Sequence, residues 1–261
     1  MGVRDLFEIT GRTALVTGGS RGLGLQVAEA LAELGAQIAL LARKRDELDR
    51  AVDHLTGRFG GKAIGVVCDV MDTASIAPAV ERAIATLGPI DILVNGAGAT
   101  WGAATLEHPL DAWRKVVDVN LTGMFVVTQE VGRRSMVPRR RGKVVNIASI
   151  LGLGGGARDP RRPATLAYNT TKGGVVNFTR ALAVEWAPYD INVNAIAPGL
   201  FPTKMTKGII DMMGDQAGHE APLHRMGGPE DLKGVAALLA SDASAFITGQ
   251  IIAVDGGVTA R

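Results

Sequence analysis

Tyr168 and Lys172 stand four positions apart in the run ATLAYNTTKGGVVNFTRALAVEW, which reads as the front half of a long amphipathic helix. That spacing sets a phenol and an ammonium on neighbouring turns of one helix face, about 6 Å apart. A free phenol, with a pKa of about 10, is a poor proton carrier at neutral pH. A nearby cation favours the phenolate, and a lowering to neutrality corresponds to roughly 4 kcal/mol. The pair points to acid–base chemistry. Its plain alternative is a packed ring beside a solvated amine, so other signatures must decide.

The second signature lies in ITGRTALVTGGSRGLGLQVAEALAELGAQIALLARK. A strand-like run at 13–17 meets a glycine-dense turn and then a helix with apolar Leu23, Val27, Leu31 and Leu34. Gly35 ends that helix and 37–41 reads as the next buried strand. This βαβ unit carries Gly18, Gly22 and Gly24 in its first turn, where missing side chains let a pyrophosphate approach backbone N–H donors and the positive end of a helix. The spacing is Gly-x-x-x-Gly-x-Gly, unlike the commonest dinucleotide fingerprint.

With these two signatures the chain resembles the short-chain dehydrogenase/reductase family, in its common short subtype, over essentially its whole length. The matching elements fall in the family's order: TGGSRGLG at 17–24, CDV with Asp69, NGAG at 95–98, Asn120 in VNLTG, Ser149 in NIASI, and Tyr168-x-x-x-Lys172. Pro198-Gly199, Thr203 and the DGG at 255–257 follow. One departure is visible: Gly96 stands where the family usually has asparagine. The resemblance implies a catalytic set of Asn120, Ser149, Tyr168 and Lys172, with Tyr168 donating a proton to a carbonyl oxygen and Ser149 stabilising that oxygen. Lys172 would lower the tyrosine pKa and hold the nicotinamide ribose. Asn120 would position a proton-relaying water; alternatively its side chain fills backbone bonds at a helix kink. It further implies dinucleotide contacts from Gly18, Ser20, Arg21, Gly22, Leu23, Gly24, Asp69, Val70, Asn95, Ala97, Gly98, Pro198, Gly199 and Thr203, besides Tyr168 and Lys172. For Asp69 a capping role is the alternative. No metal is implied, and His54, His108, His219 and His224 lack ligand-like pairing.

These residues need strands to present them. Runs at 13–17, 37–41, 63–67, 90–94, 143–148, 191–196 and 251–254 read as strands, and helices read at about 73–87, 110–134, 168–187 and 229–239. Such alternation predicts an α/β fold: a single Rossmann-type doubly wound domain, a mostly parallel seven-stranded sheet with helices on both faces. Ligands of such sheets bind beyond the carboxyl ends of the strands, which Gly18, Asn95, Ser149 and Pro198 follow.

At 261 residues the chain suits one domain with a sizeable core. A net charge of +2 and few aromatics argue against a nucleic-acid module. Cys68 is the one cysteine, which excludes an intrachain disulfide and permits a reducing, cytoplasmic setting. The opening MGVRDLFEIT has no apolar core of a secretory signal, and no run suits a membrane span.

Cofactor choice reads at LLARKRDEL. An NAD enzyme needs an acid there for the ribose 2′-hydroxyl, but this chain has Ala42 followed by Arg43 and Lys44, with Arg21 in the glycine turn. A guanidinium can grip a 2′-phosphate in two bonds, so NADP is expected over NAD; the alternative is a solvated basic loop. Nineteen positions separate Ser149 and Tyr168, and the insertion places Arg158, Arg161 and Arg162 beside the catalytic pair. These could bind an anionic substrate group or simply be solvated. The segment 201–226 resembles the family's substrate lid, with Met205, Met212 and Met213 as an adaptable lining. Within the family the chain looks most like gluconate 5-dehydrogenase-type and 3-oxoacyl-carrier-protein reductase-type members, so a keto-sugar acid or a 3-oxoacyl thioester is the expected substrate. The cluster Arg133, Arg134, Arg139, Arg140 and Arg141 could dock an acidic carrier protein or be helix-end cations facing water. The resemblance also implies a homotetramer. A non-catalytic NADP-binding sensor is the reading of another class.

Overall fold

The computed structural model describes residues 2–155 and 164–260; Arg158, Arg161 and Arg162 lie outside them. In chain order the elements are α1 (Val3–Leu6), β1 (Thr13–Thr17), α2 (Gly22–Glu33), β2 (Gln37–Ala42), α3 (Arg45–Phe59), β3 (Ala63–Val67), α4 (Thr73–Leu87), β4 (Ile92–Asn95), α5 (Leu110–Val117), α6 (Gly123–Val131), α7 (Val137–Arg139), β5 (Gly142–Ile147), α8 (Leu166–Trp186), β6 (Ile191–Pro198), α9 (Lys207–Met213), α10 (Lys233–Ala240) and β7 (Ile251–Val254). The seven strands form one all-parallel sheet in the order β3-β2-β1-β4-β5-β6-β7. The order reverses between β1 and β4, where a crevice must open at the carboxyl edge.

β1, β4 and β5 are buried along their whole length, as expected for strands covered on both faces. On one face Val27 and Leu31 of α2, Leu48 and Leu55 of α3, and Leu239 of α10 close the core. On the other, Ile76 and Val80 of α4, Val127 and Val131 of α6, and Leu182 and Trp186 of α8 do so. The strand pattern predicted from sequence is therefore present, with the bounds of four strands displaced. β2 runs one residue further to Ala42, β4 runs 92–95 rather than 90–94, β5 starts at Gly142, and β6 continues to Pro198. The charged run of α3 carries only Leu48, Ala51 and Leu55 inward, which leaves a weak apolar signature.

The helix predicted over 110–134 runs on to Arg139 and is interrupted twice by π-type turns, Asp118–Thr122 and Gly132–Met136. The helix predicted from Pro229 starts four residues later at Lys233. Among the described residues no helix is long and apolar enough to cross a membrane.

Candidate active site

The glycine turn sits at the β1/β4 crevice. Gly18 has φ +66° and Gly22 has φ +57°, a backbone region that favours residues without a Cβ. A Cβ on Gly18 would lie 2.9 Å from the backbone of Ala97, and one on Gly24 would lie 2.5 Å from the carbonyl of Gly18. No side chain caps the start of α2, so its first N–H groups face outward beside Ser20, Arg21 and Leu23. That cradle fits a pyrophosphate. Thr17, which opens the TGGSRGLG motif but is assigned no contact by the resemblance, holds the crevice together. Its Oγ1 accepts from the N–H groups of Gly96 and Ala97, at 3.1 and 3.2 Å. The departure at Gly96 has a steric correlate, since a Cβ there would meet the Thr17 carbonyl at 2.8 Å.

At the tip of β2, Arg43 lies 4.0 Å from Asp69, and Glu47 pairs with Arg21 at 2.7 Å and Lys44 at 3.5 Å. All three cations keep surface exposure, and such pairs exchange easily, being worth about 1 kcal/mol or less. The carboxylate of Asp69 also accepts from Met71 N–H, while the cap of α4 is Asp72, not Asp69. Val70 backs onto Gly123 so closely that a Cβ there would lie 2.5 Å from the Val70 carbonyl. Asn95 does not reach outward. Its amide donates to Thr128 and to Asn146, so any dinucleotide contact at this residue falls to its backbone.

Ser149 follows β5 and Tyr168 and Lys172 rise from the first turns of α8. Lys172 Nζ lies 5.7 Å from the centre of the Tyr168 ring, so the predicted juxtaposition is present. Its predicted electrostatic outcome is not. Burial raises the phenol pKa, and its interaction with Ser149 pulls it partly back. The amine is 5% exposed, its pKa lowered by burial to about 8. It donates to the Ile147 carbonyl at 2.6 Å. Desolvation outweighs the helical pairing because the amine is buried and most of the phenol is covered by protein.

Asn120 lies within the first π turn and is buried. Its Oδ1 accepts from Ala99 N–H at 2.8 Å, and its Nδ2 donates to the Ala99 carbonyl and to Thr171 Oγ1, both at 2.9 Å. The side chain therefore ties the β4 loop to α8; the backbone groups it fills belong to Ala99 in that loop, not to the π turn itself. A π turn shifts backbone bonding locally and is frequent at functional sites. Gly98 faces the same spot: a Cβ there would stand 3.9 Å from Lys172 Nζ and 3.8 Å from Met205.

A cavity of about 1040 Å³ opens beside Ser149 and Tyr168. Its walls include Leu151, Leu166, Phe201, Met205, Ile209 and Leu223, with Glu220, Arg225, Asp231 and Asp255 among them. Arg225 is engaged through both terminal nitrogens by Asp231, at 2.5 and 2.9 Å, which lowers the Asp231 pKa to about 2. The segment 201–226 leaves and returns at one point, where Gly227 N–H donates to the Leu200 carbonyl at 2.9 Å. Thr203 is locked to Thr206 and lies beside Gly22, bringing this segment to the glycine turn. Pro198 ends β6, and Gly199 packs on Asp255 too closely to carry a Cβ.

The turn after Ser149 is pressed onto α8. A Cβ on Gly152 would sit 2.4 Å from the Lys172 carbonyl carbon. Gly152→Ala is expected to displace α8, destabilising the fold by about 1–3 kcal/mol. Turnover should fall at least about tenfold, since a shift of about 1 Å at reacting groups suffices for that. Thermal denaturation and steady-state assays check it; unchanged kcat would show that the turn does not position Lys172.

The basic cluster at 133–141 lies at the wrong end for this site. Arg140 and Arg141 precede Gly142, at the amino end of β5, about 20 Å of strand from Ser149. Arg134 pairs with Glu81 and Glu130, Arg139 pairs with Asp91, and Arg140 donates to the Pro188 carbonyl. These pairings match the alternative of helix-end cations held by local partners.

A family model described as enoyl-(acyl carrier protein) reductase matches residues 18–259. The chain is 38% identical over 257 residues to gluconate 5-dehydrogenase of Gluconobacter oxydans (strain 621H), covering 98% of this chain and 97% of the relative. It is 36% identical over 251 residues to 3-oxoacyl-[acyl-carrier-protein] reductase of Aquifex aeolicus (strain VF5), covering 96% and 98%. Its fold superposes on a gluconate 5-dehydrogenase from Burkholderia cenocepacia J2315, solved in complex with NADP and tartrate. The TM-score is 0.91 and the identity 37%, with 100% of both chains covered.

Proposed function

Because the chain belongs to the short-chain dehydrogenase/reductase family and is an oxidoreductase, we propose that it interconverts a carbonyl and a secondary alcohol using NADP(H). The observation that carries this reading is the pairing of Ser149 and Tyr168 on the cavity wall with Lys172 5.7 Å from the Tyr168 ring, on the sheet edge that also carries the bare glycine turn.

The dinucleotide, when bound, supplies or accepts the hydride. In the reducing direction Tyr168 donates its proton to the carbonyl oxygen, and burial suits it to this by keeping the phenol protonated at neutral pH. Ser149 hydrogen-bonds the same oxygen as its charge develops. Lys172 has one N–H on Ile147, leaving two for the ribose side and the phenol side. Asn120 holds the π turn whose backbone positions a water that relays protons to Lys172. Gly18, Ser20, Arg21, Gly22, Leu23 and Gly24 cradle the phosphates. Asp69 and Val70 border the adenine; Asn95, Ala97, Gly98, Pro198, Gly199 and Thr203 border the nicotinamide half.

NADP preference is supported by Ala42 at the tip of β2 and by Arg43, Lys44 and Arg21 around it. Asp69 and Glu47 yield these cations to the 2′-phosphate at small cost. Arg43→Asp is expected to shift the ratio of kcat/KM for NADPH over NADH by at least about 30-fold towards NADH, or about 2 kcal/mol. An unchanged ratio would assign the preference elsewhere.

For the substrate we favour a keto-sugar acid, on the similarity to gluconate 5-dehydrogenases. The apolar wall of Leu151, Leu166, Phe201 and Ile209 favours a second reading, a 3-oxoacyl thioester. NADPH oxidation across keto-sugar acids, 3-oxoacyl thioesters and simple ketones separates them, and failure on all three would favour a non-catalytic NADP sensor. The reading extends to one dinucleotide-binding domain with a lid at 201–226, a cytoplasmic homotetramer, and no membrane, nucleic-acid or metal partner.

A further inference from the structure

We infer that Asn146 and Thr179 are positioning residues: a buried side-chain bolt between β5 and α8 that sets Lys172 against the carboxyl end of β5. The inference rests on the reading of Tyr168 and Lys172 as the acid–base pair.

Lys172 is fixed through the Ile147 carbonyl, so the place of that carbonyl relative to α8 decides where the ammonium points. The residue before Ile147 is Asn146, whose side chain is fully buried. Asn146 Nδ2 donates to Thr179 Oγ1 at 2.9 Å, and its Oδ1 accepts from Asn95 at 2.9 Å. Thr179 donates in turn to the Val175 carbonyl. Thr179 follows Lys172 by seven residues, which returns it to nearly the same helix face about 10 Å further along the axis. One strand end therefore grips α8 at two points on one face, first through a main-chain carbonyl and then through an amide.

Stability alone accounts poorly for this arrangement. Asn95, Asn146 and Thr179 are each 4% exposed or less in otherwise apolar surroundings, and the Asn95 Oδ1 has no protein partner. Burying such groups costs free energy even when they are bonded, and apolar residues of the same shape would be close to neutral. What a bonded polar network adds is a unique register. Here it fixes α8 against β5, which a smooth apolar contact would let slide.

The test is Thr179→Val, isosteric but without the hydroxyl, beside Thr179→Ser, which keeps it, both in the full chain. The valine variant is expected to lose at least about tenfold in kcat, with a smaller rise in KM for NADPH because Lys172 also faces the ribose. The alkaline limb of its kcat–pH profile should also move, and the serine variant should restore both. Thr179→Ala removes the same bond and gives the same answer if the valine variant does not fold. A valine or alanine variant with wild-type kcat and pH profile overturns the inference, whatever happens to its Tm. Wild-type protein that reduces no carbonyl would instead sink the acid–base reading itself.

Discussion

Tyr168→Phe is expected to lower kcat for carbonyl reduction by about three orders of magnitude, the range lost when a positioned general acid is removed. The ring is mostly buried against Lys172 and the cavity wall, and phenylalanine refills that volume. Only the hydroxyl facing Ser149 is lost. NADPH affinity and Tm should therefore stay close to wild type, which separates a chemical role from a packing role. The pH dependence has a definite sign. Reduction consumes the protonated phenol, and burial raises its pKa. Wild-type reduction should hold across neutral pH and fall only as pH climbs through the raised value; alcohol oxidation, which needs the phenolate, should climb over that same range. A phenylalanine variant within about tenfold of wild type would remove Tyr168 from the chemistry.

Lys172→Met should have two effects of opposite sense. Turnover is expected to fall by at least about a hundredfold, because the proton path and the ribose contact both lose their cation. Stability at pH 7 is expected to rise. The folded-state pKa of about 8 lies below the ordinary lysine value, so burial disfavours the ammonium. The unfolded chain therefore binds the extra proton between about pH 8 and pH 10.5, and wild-type stability from this group grows as pH rises through that window. Below it, holding the charged amine costs the fold about 3 kcal/mol. Leaving the Ile147 carbonyl unpaired returns about 1–2 kcal/mol of that gain. A Tm increase of a few degrees at pH 7 should shrink as pH rises and reverse sign by about pH 10, where only the cost of the unpaired carbonyl remains. A variant less stable than wild type at pH 7 would show that the amine's bond outweighs its desolvation.

Much of this was legible in the residues. The bounds of β1, β3, β7 and α4 follow directly from apolar runs punctuated by glycine or capped by Asp72. The gathering of Gly18, Asn95, Ser149 and Pro198 on one edge follows from strand order alone. Misplaced ends have local causes. Asn95 reads as loop because it is polar, yet it stays in β4 because Thr128 and Asn146 satisfy its amide inside the core. The π turn around Asn120 leaves no sequence pattern, since it is clamped by Ala99 and Thr171, which are distant in the chain. Thr17 and Thr171 went unmarked for the same reason. The tyrosine electrostatics failed differently: helical spacing reports the distance between two groups and says nothing of the solvent around them, and desolvation set the sign.

The hydride path offers the most direct trial. NADPH carrying deuterium at both C4 positions would be incubated with the protein and any carbonyl it accepts, and the alcohol examined by mass spectrometry. One deuterium on the carbinol carbon is expected, with label transfer lost in Tyr168→Phe. An unlabelled alcohol, or transfer undiminished in that variant, would contradict the account.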